Sequence, residues 1–287
     1  MILPVVFMTG LALALSISLV LAKAFLIVFE DPRLKQLEEM LPNTNCGACG
    51  TPGCGAFAME LVAGTVLPGG CTQSSTEATI SIAELLQVDA GIQEKRVARL
   101  ACQGGGNVAR QRATYQGFYS CVSANLVAGG GKGCAWGCLG MGDCEVACRF
   151  DALHLDSVGL PQVDPEKCTA CGDCVSACPK NLFDLIPLSK PLFIACKNLQ
   201  EGEEAETNCA VACTGCGLCA ADGPTNLISI HKNLAVLDLN MTQDEITNHR
   251  AIERCPTGAI GIWGDQEKFI KGKKAKKILK HSYLEVG

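Results

Sequence analysis

The sequence has no excess of basic residues. It carries 24 Lys and Arg against 29 Asp and Glu, a formal net charge of -5. Because nucleic-acid-binding domains normally show a basic balance, this composition argues against that class. Nucleotide-binding loops are also missing: the glycine run at 129–133 lacks the Ser or Thr of a phosphate loop, and no G-x-G-x-x-G joins a predicted strand to a helix. We therefore expect neither a nucleotide nor a flavin in this chain.

A cleavable secretion signal is missing too. Residues 2–29 are apolar except for small polar residues and Lys23. This stretch starts without a charge, exceeds the apolar core of a signal peptide and can cross a hydrocarbon core of about 30 Å as a helix. It predicts one transmembrane anchor, with a buried core helix as the alternative. Lys23, Arg33 and Lys35 lie towards its C-terminal end, so the positive-inside rule predicts that the rest of the chain lies in the cytoplasm.

Cysteine, in contrast, is abundant, with 20 among 287 residues. Residues 168–179 spell C-x2-C-x2-C-x3-C-P, the spacing with which bacterial ferredoxins hold cubane iron-sulfur clusters. Disulfides are disfavoured because these cysteines are too close together to pair usefully and because the cytoplasm keeps thiols reduced. Structural zinc usually needs C-x2-C pairs separated by a longer loop. The cysteines therefore predict [4Fe-4S] clusters.

In this motif three cysteines bind one cluster and the fourth usually binds a second one. The same spacing, laid over the preceding region, matches Cys138, Cys144 and Cys148, but Met141 occupies the second position. A thioether is an unsuitable ligand here, so we expect Cys134 to replace it. The predicted sets are Cys134, Cys138, Cys144 and Cys178 for one cluster, and Cys148, Cys168, Cys171 and Cys174 for the other.

The same spacing can be laid over a second pair of motifs, which has cysteines at the positions of only one of the two clusters. The retained cysteines are Cys213, Cys216, Cys219 and Cys255. The positions of the other set hold Gly223 before Pro224, and Glu245, Asn248 and Ala251. Because the four missing ligands are those of a single cluster, this pair predicts one cluster instead of two.

A separate module precedes these repeats. Its spacing is C-x2-C-x4-C-x16-C with glycines beside the thiols, and its cysteines are Cys46, Cys49, Cys54 and Cys71. Glycine permits the tight turns that aim backbone N–H groups at cluster sulfurs. We expect another [4Fe-4S] site here, with a short helix from Pro32, a helix between Cys54 and Cys71, and a third helix over 76–99.

Four cysteines remain outside these sets: Cys102, Cys121, Cys196 and Cys209. They fit a fifth cluster, because five groups of four account for all 20 cysteines. Their long spacings carry no local signature, so ordinary buried thiols are the alternative. Cys134 and Cys209 can also exchange roles, because each is followed by a cysteine four residues later.

These patterns together predict an α+β chain. The expected domains are a transmembrane helix at 1–29, a four-cysteine iron-sulfur domain at 30–95, a polycluster domain of tandem ferredoxin-like repeats at 96–265 and a lysine-rich tail at 266–287. Short strands are predicted within 150–155, 182–186, 227–230 and 259–262. We expect the tail to be solvated, with contact to anionic lipid or a partner as the alternative.

The order of these parts resembles the B subunits of Rnf complexes, which are membrane ferredoxin:NAD oxidoreductases coupled to ion transport. The resemblance is carried by the membrane helix, the Cys46-Gly47-Ala48-Cys49 module and the cysteine-rich ferredoxin repeats. The segments 132–144 and 102–105 look like the form found in anaerobes, which has extra cysteines. Arg149 stands where proline follows the fourth cysteine in ferredoxins, and this departure bears on the number of clusters.

The resemblance implies a subunit that accepts electrons from reduced soluble ferredoxin. It would pass them through its clusters to membrane and flavin-bearing partner subunits, coupled to Na+ or H+ translocation, without making or breaking a substrate bond. No acidic residue lies between Lys95 and Gly142, so this stretch is the expected dock for an acidic ferredoxin, with a solvated surface as the alternative. Its basic residues are Lys95, Arg96, Arg99, Arg110, Arg112 and Lys132.

Two other functions remain open from the sequence. The chain fits a membrane-tethered polyferredoxin that serves another reductase or a hydrogenase. It also fits an interaction protein in which the cysteines hold structural zinc.

Overall fold

An isolated apolar helix begins the fold. The computed structural model describes residues 2–25, 31–92, 94–223, 226–240, 249–264 and 269–275. Among the described residues, helix α1 (Ile2–Phe25) is the one helix that is long and apolar enough to cross a membrane, over Pro4–Lys23. None of that segment is buried within the protein. The alternative of a buried core helix is therefore wrong for this segment. Residues 26–29 of the predicted span lie outside the described residues.

Three helices form the part of the chain that follows. They are α2 (Pro32–Met40), α3 (Cys54–Ala63) and α4 (Thr76–Leu86). Asp31 caps α2 by accepting a 2.9 Å hydrogen bond from the N–H of Arg33, so the predicted short helix is confirmed. The helix predicted between Cys54 and Cys71 is α3. Phe57 and Leu37 are almost fully buried where α2 and α3 pack together.

The helix predicted over 76–99 is wrong beyond Leu86. Gln87 adopts the left-handed conformation, with φ of 55°, and its N–H bonds back to the carbonyls of Ala83 and Glu84, which ends α4. Strand β1 (Arg96–Leu100) follows and pairs antiparallel with β4 (Phe183–Pro187). A partner more than 80 residues away in the sequence therefore decides that this stretch is a strand, because β propensity depends on what the strand packs against.

The first ferredoxin-like unit is built around β1 and β4. Its other elements are α5 (Cys121–Leu126), α6 (Asp143–Ala147), β2 (Leu153–Leu155), β3 (Pro161–Val163) and α7 (Asp173–Ala177). Strands β2 and β3 pair antiparallel. Val97, Leu182 and Phe183 are buried in a core that also contains cysteines. The strands predicted within 150–155 and 182–186 are confirmed.

The second unit repeats this plan with different details. Its elements are β5 (Leu192–Ile194), α8 (Gly202–Asn208), α9 (Leu218–Asp222), β6 (Ile228–His231), β7 (Leu234–Leu237), α10 (His249–Arg254), β8 (Ile260–Trp263) and β9 (Phe269–Lys271). Strands β5, β8 and β9 form an antiparallel sheet in that order, and β6 and β7 form a hairpin. Lys232 and Asn233 both have positive φ, as the tight turn of such a hairpin requires. The predicted strands within 227–230 and 259–262 are confirmed.

Strand β9 lies within the predicted tail. The expectation of a solvated tail does not hold for Phe269–Lys271, because these residues pair with β8. The Phe269 ring lies 5.6 Å from that of Trp263, and the guanidinium of Arg99 lies 4.5 Å from the centre of the Trp263 ring. Aromatic packing thus attaches the start of the tail to both units. Residues 276–287 lie outside the described residues.

An ion pair joins α9 and α10, the two helices that flank the deleted ligand set. The Asp222 carboxylate, 6% exposed, accepts a 2.7 Å hydrogen bond from Arg254, and Arg250 lies 3.5 Å away. Ala251, at one position of the missing set, is buried against neighbouring apolar side chains. Pro224, Glu245 and Asn248 lie outside the described residues. Charge pairing and alanine packing thus hold these helices together.

We expect Asp222→Ala to loosen the contact between α9 and α10. It removes a charge-assisted hydrogen bond at a buried carboxylate, which costs about 1 to 3 kcal/mol. Faster amide hydrogen exchange in α10 and faster tryptic cleavage after Arg254 would report this loss. Arg250→Ala is the matched control, because its side chain is 74% exposed and its ion pair is longer, and we expect little change. Equal effects of the two substitutions would contradict this account.

Candidate iron-sulfur sites

Four cavities are each lined by four cysteines. We name them the Cys219 site (Cys213, Cys216, Cys219, Cys255), the Cys168 site (Cys148, Cys168, Cys171, Cys174), the Cys102 site (Cys102, Cys134, Cys196, Cys209) and the Cys144 site (Cys121, Cys138, Cys144, Cys178). The remaining four cysteines, Cys46, Cys49, Cys54 and Cys71, belong to the N-terminal module, and we name this set the N-terminal site.

The Cys168 site contains the four residues predicted for it. Gly172, with φ of 87°, turns the chain into α7, which carries Cys174. Cys148 is the fourth cysteine of the preceding motif, and it lies in this site because the fourth cysteine of such a motif is expected to bind the other cluster. Its sulfur accepts a 3.4 Å hydrogen bond from the N–H of Ala152. Hydrogen bonds of this type are common at cluster ligands, where they tune the reduction potential. The geometry therefore suits a ferredoxin cluster.

The Cys144 site differs from the prediction in one residue. Cys121, and not Cys134, lies beside Cys138, Cys144 and Cys178. The carboxylate of Asp143 explains this position, because it accepts hydrogen bonds from the N–H of Cys121 at 2.9 Å and from the N–H of Val122 at 3.1 Å. Asp143 thereby fixes the start of α5 next to α6. No local spacing in the sequence connects Asp143 to Cys121, which lies 22 positions earlier.

The Cys102 site contains cysteines that no local spacing connects. Cys134 lies here together with Cys102, Cys196 and Cys209, so the fifth set predicted from Cys102, Cys121, Cys196 and Cys209 is wrong in Cys121. Gly104 allows the close approach of these residues, because a Cβ on it would lie 3.0 Å from the sulfur of Cys209. A single β-bridge between Ala109 and Cys209 fixes the segment that carries Cys209.

The Cys219 site contains the four residues predicted from the retained set. Gly217 adopts a left-handed conformation before α9, which carries Cys219. Pro256 and Thr257 close the cavity behind Cys255, as the Cys-Pro motif leads us to expect. Cys216 is exposed to solvent, while Cys213 and Cys219 are buried. One edge of this site therefore faces the outside.

The N-terminal site is organised by the first turn of α3. The side-chain oxygen of Asn45 accepts a 2.8 Å hydrogen bond from the N–H of Cys54, and the Thr51 hydroxyl lies 3.1 Å from the sulfur of Cys49. Cys54 and Cys71 are buried against the same core as Phe57. Residues that cap the helix therefore also position its cysteines.

Burial makes free thiolates unfavourable in these cavities. It raises the pKa of Cys138 and of Cys174 to about 12, and neighbouring thiols add to the shift. Burial likewise raises the pKa of Cys209 and of Cys219 to about 11. Without metal these thiols stay protonated at neutral pH. Binding of iron must therefore displace protons, and it couples metal uptake to folding.

The spacing of the thiols also bears on the kind of metal. Within the described ranges, no group of three or more His, Cys, Asp or Glu side chains is arranged to hold a single metal ion. A tetrahedral zinc with bonds of about 2.3 Å would bring its sulfurs to about 3.8 Å from one another. The described cysteines do not meet that arrangement.

Two lysines of the predicted basic regions point inwards. The ammonium group of Lys132 donates to the carbonyls of Gly104 and Cys138, and its side chain lines the Cys102 site. Burial lowers the pKa of Lys271, while the nearby thiols of Cys209 and Cys255 act on it in the opposite direction. Lys132 therefore lies at the cysteine sites and not on an open docking surface.

The other basic residues divide into two groups. Arg99 stacks on Trp263, and Lys95 lies 3.5 Å from the carbonyl of Glu166. Arg96, Arg110 and Arg112 are exposed, although the guanidinium of Arg112 also donates a 2.9 Å hydrogen bond to the side chain of Asn208. The expected dock is thus reduced to these three residues.

An apolar surface lies next to the Cys144 site. It consists of exposed side chains on α5 and directly before and after it. We name these residues the α5 patch: Phe118, Tyr119, Val122, Leu126 and Val127. Phe118 is 78% exposed and Leu126 is 83% exposed. Large exposed apolar patches usually mark contact sites for other molecules.

Two family models match parts of the chain. An Fe-S cluster family model matches residues 41–73, which contain the N-terminal site. The 4Fe-4S binding domain model matches residues 161–183, which contain the Cys-Pro motif. Iron-sulfur clusters are therefore the cofactor class of this protein.

The chain is also similar to named proteins over most of its length. It is 36% identical over 264 residues to the B subunit of the Na(+)-translocating ferredoxin:NAD(+) oxidoreductase complex of Acetobacterium woodii, and the match covers 92% of this chain and 78% of that protein. It is 37% identical over 231 residues to the B subunit of the proton-translocating ferredoxin:NAD(+) oxidoreductase complex of Clostridium ljungdahlii, covering 80% and 81%. It is 31% identical over 256 residues to the B subunit of the ion-translocating oxidoreductase complex of Methanosarcina acetivorans, covering 89% and 96%.

We expect Asp143→Ala to release Cys121 from the Cys144 site. The substitution removes the acceptor for two backbone N–H groups at the start of α5, a cap whose loss typically costs about 1 to 2 kcal/mol. Faster loss of about four irons to a chelator, with faster hydrogen exchange over α5, would report it. Asp89→Ala is the control, because its exposed carboxylate also accepts a backbone N–H, that of Gly91 at 2.7 Å, but lines none of the four cavities. Equal iron loss from the two variants would contradict the role of Asp143.

Proposed function

Because this chain belongs to the family of Rnf complex B subunits, which are parts of membrane ion-translocating oxidoreductases, we propose that it accepts electrons from reduced soluble ferredoxin and passes them to partner subunits. A [4Fe-4S] cluster in each cysteine site would supply a one-electron couple. The single observation that carries the proposal is the set of cysteine-lined cavities in two adjoining ferredoxin-like units. A row of such sites is the arrangement that electron relay requires.

The Cys168 and Cys144 sites support relay because they share one core. Cys144, Cys168 and Cys174 pack in the same buried cluster, between α6 and α7. Residues of one site therefore contact those of the other without intervening solvent. Electron transfer depends steeply on distance, so adjacency of this kind is the requirement that the fold has to meet.

The α5 patch is the place we propose for ferredoxin. It adjoins the Cys144 site through Cys121, the first residue of α5. Arg112 is linked to it because the N–H of Arg112 donates to the carbonyl of Gly131, in the turn that follows α5. Arg110 is exposed two residues earlier. An apolar centre beside exposed arginines suits an acidic partner. The arginines would steer the approach of that partner, and the apolar side chains would stabilise the complex.

The membrane side of the proposal rests on α1. Its apolar surface would lie in lipid, and Lys23, Arg33 and Lys35 would keep the cysteine sites on the cytoplasmic side. The N-terminal site follows α1 in the chain and would lie nearest to the membrane subunits. Relatives named for sodium and for proton translocation are 36% and 37% identical to this chain, so similarity favours neither ion.

We expect the protein, purified without oxygen, to be brown and to contain iron and acid-labile sulfide in equal amounts. Four irons for each of four to five sites give about 16 to 20 irons per chain. Reduced ferredoxin should bleach the visible absorption and produce the EPR signals of reduced clusters. A colourless protein that contains zinc and no labile sulfide would sink the proposed function.

We expect the double variant Arg110→Glu and Arg112→Glu to slow reduction by ferredoxin by about tenfold at low salt. The difference should shrink as salt is raised, because screening weakens steering. Stopped-flow absorbance with a fixed excess of ferredoxin measures the rate. Lys232→Glu combined with Lys274→Glu changes the charge equally at exposed positions away from α5 and serves as the control. Unchanged rates at low salt in the arginine variant would exclude this dock.

A further inference from the structure

We propose that Cys102, Cys134, Cys196 and Cys209 hold a [4Fe-4S] cluster that connects the two ferredoxin-like units. The proposal rests on the proposed electron relay and adds a site that neither matching family model covers. Its four residues come from the loop after β1, the segment before α6, the end of β5 and the end of α8. The fold, and not a local motif, brings them to one cavity.

The surroundings of these sulfurs match those of the ferredoxin sites. The N–H of Gly104 donates to the sulfur of Cys102, and that of Asn198 to the sulfur of Cys196, both at 3.4 Å. The corresponding bonds at Cys148 and Cys178 measure 3.4 and 3.5 Å. Backbone donors aimed at sulfur stabilise cluster thiolates and are unnecessary for ordinary buried thiols. The Cys102 site is therefore built as a ligand set.

Direct contacts join this site to a neighbour on each side. The N–H of Cys138, in the Cys144 site, donates to the sulfur of Cys102 at 3.4 Å. The N–H of Cys213, in the Cys219 site, donates to the sulfur of Cys196 at 3.3 Å. A ligand residue of each neighbour thus bonds to a ligand of the Cys102 site. The four cavities follow one another in the order Cys168, Cys144, Cys102 and Cys219 site.

The second unit has cysteines for only one site of its own, and this makes the connection through the Cys102 site necessary. That unit retains one ligand set, so the Cys219 site has no second cluster of its own unit beside it. The Cys102 site supplies the missing neighbour from the other side. Without it, the Cys219 site would be separated from the first unit by protein alone.

Lysine side chains supply positive charge at both contacts. Lys132 binds the carbonyls of Gly104 and Cys138, between the Cys144 and Cys102 sites. Lys271 is near Cys209 of the Cys102 site and Cys255 of the Cys219 site. Because net charge near a cluster sets its potential, these lysines favour the reduced state at the middle of the row.

The step itself is a one-electron exchange. With clusters bound, the Cys144 site would give up one electron and be oxidised, and the Cys219 site would gain one electron and be reduced. The cysteine sulfurs would stay bound to iron, and no proton or covalent bond would change place.

Cys209→Ala tests the site on the full-length protein. We expect iron content to fall by about one to four per chain, depending on whether a three-iron cluster stays, and the signal of one reduced cluster to vanish. In rapid freeze-quench EPR with reduced ferredoxin, the cluster of the Cys219 site should appear at least tenfold more slowly than in the wild type. Dithionite, which needs no protein path, should reduce it fully.

Thr207→Ala is the matched control, because Thr207 lies on α8 two residues before Cys209, is exposed and donates its hydroxyl hydrogen to the carbonyl of Glu203. It should keep the wild-type iron content and the wild-type rate of reduction at the Cys219 site. Wild-type iron and sulfide in Cys209→Ala, or fast reduction of its Cys219 site, would overturn the bridging cluster and leave the electron relay standing. A wild-type protein without labile sulfide would instead overturn the proposed function.

Lys132→Met and Lys132→Arg provide a second test that leaves every cysteine in place. In an EPR-monitored titration of the intact protein, Lys132→Met should lower the potentials of two clusters, and Lys132→Arg should leave them near the wild-type values. Unchanged potentials in Lys132→Met would contradict the proposal, even if Cys209→Ala fails to fold.

Discussion

Burial of cysteine around four cavities is the constraint on which the ferredoxin-like units depend. Their hydrophobic cores contain the thiols themselves: Cys102, Cys144 and Cys168 pack beside Val97 and Phe183, and Cys213 and Cys219 beside Leu227. The helices that carry these residues have only five residues each at α6, α7 and α9, too short to be stable alone. Bonds from thiolate to iron would therefore replace much of the apolar contact that a larger core would provide, so that the fold and the cofactor stabilise each other.

The sequence predicted the sites that depend on local spacing and failed where distant segments meet. Cys168, Cys171 and Cys174 lie on one loop and helix, so their spacing determines their position. Cys121 and Cys134 were assigned to the wrong sets because the hydrogen bonds from α5 to Asp143 connect residues more than 20 positions apart. The same reason explains β1, which was predicted as part of a helix and is a strand because β4 pairs with it. Strand β9 was missed because its lysines obscured the contact of Phe269 with Trp263.

The two units show how one fold accommodates different numbers of sites. In the first, the positions between α6 and α7 are occupied by cysteines. In the second, the buried carboxylate of Asp222 and the guanidinium of Arg254 join α9 and α10. An ion pair needs a specific geometry. Here it maintains the spacing of α9 and α10 beside the Cys219 site, whose four cysteines are present. Loss of ligands in one half thus did not disturb the cavity of the other.

Because its four cysteines are far apart in the sequence, the Cys102 site is completed late during translation. The N-terminal site is complete once Cys71 has left the ribosome, the Cys168 site after Cys174 and the Cys144 site after Cys178. The Cys102 site must wait for Cys209, and only the Cys219 site is completed later, at Cys255. Two of its thiols, Cys102 and Cys134, are therefore exposed to the cell while the rest of the first unit is already able to take up iron. Correct loading then depends on the order in which segments emerge, because a misplaced Cys134 lies close enough in sequence to Cys138 to compete with Cys121.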